Sequence, residues 1–100
     1  MLNSISPDNI SLSIRNGLRI RFVYKSIPIV VHQASWSFRE RIWVGDKLVV
    51  NELGVRMVST HVLQVAGDRV EVTFGYRDWM AEIFLEARAN GQLIHSASHE

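Results

Sequence analysis

The chain of 100 residues predicts an all-β fold, an antiparallel β-sandwich of about eight to nine short strands joined by hairpins. Three observations carry that expectation. Four glycine-bearing turn signals, Asn16-Gly17, Gly45-Asp46, Gly67-Asp68 and Asn90-Gly91, punctuate the sequence. Each lies between stretches rich in Val, Ile, Leu, Arg and aromatics, which is the pattern of a β-hairpin. Within most of those stretches apolar residues recur at every second position, the period of a strand with one buried face. Short strands with tight turns between neighbours favour two packed layers over a closed barrel.

The elements follow in order. Residues 1–8, with Asn3, Ser4, Ser6, Pro7 and Asp8, read as a flexible N-terminus, and residues 1–100 as a single domain. In the first hairpin Ile10, Leu12 and Ile14 alternate with Ser11 and Ser13, and Leu18, Ile20 and Phe22 alternate with Arg19 and Arg21. A three-residue loop of Arg15, Asn16 and Gly17 sets Ile14 against Leu18, Leu12 against Ile20 and Ile10 against Phe22, with Gly17 in the left-handed position. Pro28 cannot donate to a ladder, so Ser26-Ile27-Pro28 marks an edge or a break before the apolar run Ile29-Val30-Val31. In the second hairpin a Gly45-Asp46 loop pairs Val44 with Lys47, Trp43 with Leu48 and Ile42 with Val49. In the third, a Gly67-Asp68 loop pairs Val65 with Val70, Leu63 with Val72 and His61 with Phe74. Residues 79–90 fit two structures. A helix capped by Asp78 is one; a strand with Ala81, Ile83, Leu85 and Ala87 on one face, and Phe84 as the exception to its alternation, is the other. Consistency with the preceding hairpins favours the strand, turning at Asn90-Gly91.

Composition bounds the function. Hydrophobic residues at 47% and charged ones at 21% describe an ordinary globular chain. The absence of cysteine excludes disulfides and thiolate metal sites. No basic start precedes an apolar run, and no apolar stretch approaches the ~20 residues of a membrane span, so a cytoplasmic protein without membrane association is expected. Net charge is +1 but unevenly placed. Arg15, Arg19, Arg21, Lys25, Arg39 and Arg41 meet only Glu40, whereas most acids lie beyond Ile42. Pairing of opposite charges on neighbouring strands accounts for this asymmetry. A basic face for nucleic acid is the less favoured account, because no RNA-binding motif accompanies the charge.

At this point the order of signals resembles a known family. The run Ser13 to Phe22, around Arg15-Asn16-Gly17, is similar to the first hairpin of the Fas apoptotic inhibitory molecule domain. Glu40-Arg41-Ile42-Trp43-Val44-Gly45-Asp46-Lys47 resembles its second, and Leu85 to Leu93 a later one. The chain looks closer to small uncharacterised bacterial proteins of that outline. The resemblance implies a compact antiparallel β-sandwich that acts by binding and offers no catalytic residue. Ser26 to Phe38 is longer than the family's connection at that point.

Chemistry-bearing residues are few. There is no GxGxxG or phosphate loop, and Ser35 and Ser37 beside Trp36 make no nucleophile elbow. No catalytic residue and no cofactor are expected. His95 and His99 lie four apart, about 13 Å along a strand, too far for one tetrahedral metal. Only a meeting of His32, His61 and His95 across strands makes a metal site. The cluster of Trp36, Phe38, Arg39, Arg41 and Trp43 is more informative, since Trp and Arg dominate binding hot spots. On the second hairpin Ile42, Val44 and Val49 are expected on one face, and Trp43, Leu48 and Val50 on the other. One of these apolar sets then needs a second cover. The sequence therefore points to a non-catalytic protein-binding or self-associating module, with Trp43, Leu48, Val50, Trp36 and Arg41 as its binding residues. A metal protein or enzyme with a histidine cluster is the alternative.

Overall fold

The computed structural model describes residues 9–13, 17–34, 38–54, 57–77 and 82–99. They form nine strands and no helix: β1 Asn9–Ser13, β2 Gly17–Tyr24, β3 Ile27–Gln33, β4 Arg39–Val44, β5 Lys47–Leu53, β6 Val58–Val65, β7 Asp68–Arg77, β8 Glu82–Ala89 and β9 Gln92–His99. All pairing is antiparallel and between chain neighbours. One sheet has the order β1-β2-β3-β4-β5, the other β6-β7-β8-β9. The all-β antiparallel class is therefore the one the sequence predicts. The chain divides into two compact units, Met1–Val55 and Arg56–Glu100, each holding one sheet. Each sheet has one buried apolar face, as a layer of a β-sandwich has. No described helix is long and apolar enough to cross a membrane.

In the first sheet Leu18, Ile20 and Phe22 of β2, Ile29 and Val31 of β3, and Ile42 of β4 are buried. Register explains why they share a side: Ile20 faces Val31, Phe22 faces Ile29, and Val31 faces Ile42. The turn from β2 to β3 carries no glycine. Lys25 and Ser26 take φ of +49° and +66°, the left-handed pair that a two-residue hairpin requires. Left-handed backbone costs a side-chain-bearing residue about 1–2 kcal/mol, so this turn is held by the strands it joins. Pro28 is neither at an edge nor in a break, as the sequence suggested. It lies in β3, between β2 and β4, opposite Val23. It is tolerated because the β3–β4 ladder ends there: Ile29 faces Val44, and the Gly45 amide donates to the Pro28 carbonyl at 2.8 Å.

Two expected registers are shifted by two residues. In the first hairpin Leu12 faces Leu18 and Ile10 faces Ile20, rather than Ile20 and Phe22. Gly17 does take the left-handed conformation, with φ +86°, while residues 14–16 of that loop lie outside the described residues. In the third hairpin Val65 faces Asp68, Leu63 faces Val70 and His61 faces Val72. The turn is Ala66-Gly67, with φ +52° and +82°, instead of Gly67-Asp68. Asp68 is kept in β7, where Asn90 Nδ2 donates to Asp68 Oδ1 at 3.4 Å and the Asn90 amide donates to the Arg69 carbonyl at 2.9 Å. A slip of two preserves which face every side chain occupies, so the hydrophobic pattern could not separate these registers.

The last segment is strand, turning at Asn90-Gly91 with φ +52° and +86°. Residues 79–81 lie outside the described residues. On the buried face of the second sheet Phe74 faces Leu85, Val72 faces Ala87 and Val70 faces Ala89. Phe84, the exception in the alternation, projects from the opposite face yet is only 6% exposed. It lies opposite Gly75. The Arg77 guanidinium covers it at 4.2 Å from the ring centroid. Two hydrogen bonds from Arg77 to Glu82, at 2.8 and 3.3 Å, hold that guanidinium in place.

Position 75 requires glycine. Its φ is +149°, and a Cβ there would collide with the Met57 carbonyl oxygen, whose position is fixed by the 2.9 Å hydrogen bond it accepts from the Tyr76 amide. Gly75→Ala is expected to destabilise the protein by about 2–3 kcal/mol, through backbone strain and the collision. Denaturant unfolding measures this, and an unchanged midpoint contradicts it.

Candidate functional site: the outer face of the first sheet

Alternation places Arg19 and Arg21 of β2, Val30 and His32 of β3, and Arg39, Arg41 and Trp43 of β4 on the face opposite the buried residues. Strand order then lines them up. Arg19 faces His32, and His32 faces Arg41; Arg21 faces Val30, and Val30 faces Trp43. Arg19 and Arg41 are thus separated by a single strand, about 10 Å at the backbone, and Arg19 and Arg21 by about 7 Å along β2. Arg39 Nη1 donates to Asn51 Oδ1 at 3.1 Å.

Among the described residues, the cross-strand charge pairing expected from the sequence is not found on this face. The cross-strand neighbours of Arg19, Arg21 and Arg41 are Ser11, His32, Asn9, Val30 and Asn51, none of them an acid. The physical reason is position: Glu40 alternates to the other face, Asp46 lies in a turn, and Glu52 stands opposite Glu40 on β5. Pairing of that kind belongs to the second sheet. There Arg77 of β7 bonds Glu82 of β8 at 2.8 Å, and Glu71 of β7 faces Arg88 of β8. The hydrogen bond from Arg77 holds the Glu82 carboxyl below its usual range.

Glu40 is the functional-looking residue that sequence reasoning missed. It is 0% exposed, although a carboxylate is seldom buried without partners. Gln33, opposite it on β3, donates Nε2 to Glu40 Oε2 at 3.4 Å. Gly54 packs directly on the carboxylate, so closely that a Cβ at Gly54 would overlap Glu40 Oε2. The Gly54 amide donates to the Phe38 carbonyl at 2.7 Å, which pins the glycine there. The signal was present: Glu40 is in phase with Ile42 and Val44, the buried side of β4.

The second hairpin decides which candidate residues meet. Val44 faces Lys47 and Trp43 faces Leu48, as expected, but Ile42 faces Val50 rather than Val49. Val49 is the extra residue of a β-bulge, two residues of β5 spanning one position of β4. Val50 is therefore on the buried side with Ile42, not beside Trp43 and Leu48 as the unbulged register had it. Leu48 and Val49 are each 42% exposed beside the half-buried Trp43. Arg41 shares their face. Trp36, Ser35, Ser37 and Trp79 lie outside the described residues.

The histidines do not converge. His61 and His95 occupy one row of the second sheet, through Val72 and Ala87, but at its opposite edges. Three inter-strand steps separate them by about 14 Å, and His61 stacks on Phe74 with ring centroids 5.9 Å apart. His32 belongs to the other sheet. No group of three metal-ligating side chains occurs among the described residues.

Compared with protein-family models, with curated proteins and with solved structures, the chain finds no match.

The Glu40–Gly54 packing is testable by a double-mutant cycle. Gly54→Ala is expected to cost about 2 kcal/mol in the wild-type background, because the buried carboxylate must shift. Against a Glu40→Ala background the same change is expected to cost at least about 1 kcal/mol less, a coupling in the range seen for contacting residues. Equal costs in both backgrounds contradict the contact.

Proposed function

We propose that this protein is a non-catalytic module that binds protein, as a homo-oligomer, through its β4–β5 hairpin. The observation that carries the reading is the bulge at Val49. It splits the apolar residues of the hairpin, sending Val50 to the buried side and leaving Leu48 and Val49 exposed beside Trp43. Exposed aliphatic area around a tryptophan with an arginine at its margin has the composition of a binding hot spot. β5 is also the last strand in the order of its sheet, the position at which a further strand adds. Leu53, at 62% exposure, and Phe38, at 53%, extend the apolar surface toward the far end of the strand. The same strand from a second copy supplies a matching apolar edge, and an isologous pair of that kind closes as a dimer. The likeness of residues 13–22 and 40–47 to the Fas apoptotic inhibitory molecule domain supports a binding role in the same direction.

Sedimentation equilibrium over a range of concentrations tests this. The wild-type chain is expected to show a mass rising toward twice that of one chain. Leu48→Lys with Val49→Lys should hold it at one chain while leaving the thermal midpoint within a few degrees, since both side chains are exposed. A wild-type protein that stays at one chain up to millimolar concentration overturns the proposal.

A further inference from the structure

We infer that the outer face of the first sheet binds single-stranded nucleic acid, with phosphates on Arg19, Arg21 and Arg41 and a base against Trp43. This goes beyond self-association: it shares Trp43 and Arg41 with that surface but rests on Arg19, Arg21 and the rows they form across β3.

The uneven charge of the sequence becomes a geometric feature in the fold. The unit Met1–Val55 holds seven Lys and Arg against four Asp and Glu, and the unit Arg56–Glu100 holds four against six. Within the first unit the described acids are withdrawn from the outer face: Glu40 is buried on the other side, and Asp46 is in a turn. Glu52 stands opposite Glu40 at the edge strand. What remains on the outer face is Arg19, Arg21, Arg39 and Arg41, with His32 between Arg19 and Arg41. Among the described residues Arg19, Arg21 and Arg41 form no ion pair with a carboxylate. Surfaces that merely keep a protein soluble intersperse both signs, as the second sheet does.

The residue types select the ligand. Guanidinium is planar and grips phosphate with two parallel N–H donors, which an ammonium cannot do. The basic residues of this face are all arginines, and the lysines Lys25 and Lys47 lie at a turn and at the start of β5. Spacings of about 7 Å along β2 and about 10 Å across β3 let each guanidinium take a different phosphate of one strand. Trp43 shares a row with Arg21 through Val30 and lies two residues from Arg41 on the same face. An aromatic beside a track of cations is the arrangement on which unpaired bases stack. A duplex offers Trp43 no unstacked base. That favours the single strand.

The test is fluorescence anisotropy with a labelled oligothymidylate of about twenty nucleotides, run beside a duplex of equal length and vesicles containing phosphatidylserine. The wild-type protein is expected to bind the single strand. The logarithm of its affinity should fall with the logarithm of salt with a slope of about −2, as three phosphate contacts on a single strand require. Arg19→Gln with Arg41→Gln should weaken binding at least tenfold and bring the slope to about −0.7, with an unchanged thermal midpoint. If that pair fails to fold, Arg21→Gln alone is expected to weaken binding several-fold and reduce the slope by about 0.7. Leu48→Ser with Val49→Ser, which removes the same apolar surface without adding charge, should abolish self-association and leave binding of the single strand intact, so the two proposals fail separately. No binding of the single strand at 50 mM salt, equal binding by the arginine variants, or tighter binding to duplex or vesicles overturns the inference.

Discussion

In a β-strand successive side chains leave on opposite faces, so the destination of one residue decides that of its neighbours. Once Leu18, Ile20 and Phe22 are buried, Arg19 and Arg21 must face outward. Once Glu40 and Ile42 are buried, Arg41 and Trp43 must do the same. Because β3 lies between β2 and β4, these two obligations meet on one surface, and His32 falls between them. The basic face is therefore a consequence of the core. No separate device is needed to build it.

The break of this period in the first sheet, at Val49, matters as much. Without the bulge at Val49, Val50 would stand beside Leu48 and Trp43, and Val49 would take the buried side with Ile42. The bulge adds a residue to β5 and exchanges the two, joining Val50 to Ile42 and leaving Leu48 and Val49 outside. A bulge on an edge strand also bends that strand and increases its twist. The turn end of the hairpin is thereby apolar and exposed, next to the arginine rows. Glu40 contributes in the other direction. By burying the only acid of β4 against Gln33 and Gly54, the fold leaves that strand's outer face uniformly positive.

Much of this was legible in the sequence. The alternation of residues 18–22 and the turns at Gly45-Asp46 and Asn90-Gly91 give the class and the strand content, because they report local requirements that the sheet only reinforces. Registers of the first and third hairpins were off by two for a reason intrinsic to strands: a two-residue slip changes partners but not faces. The turn at Lys25-Ser26 carries none of the residues that take positive φ easily, so pairing along β2 and β3 imposes it; Pro28, which cannot donate to a ladder, points from sequence alone to an edge or a break. Glu40 was counted as a lone acid in a basic stretch, although its phase with Ile42 places it inside. The convergence of the arginines could not be read at all without strand order, since Arg19 and Arg41 lie 22 positions apart in the chain.

The central claim is that alternation, corrected once by a bulge, brings Arg19, His32 and Arg41 into one row and separates Val50 from Leu48. Inter-strand nuclear Overhauser contacts measure that directly. The account predicts backbone contacts from Arg19 to His32 and from His32 to Arg41, and from Ile42 to Val50. Contacts from Ile42 to Val49 instead, or Arg19 and Arg41 facing different residues of β3, would contradict it.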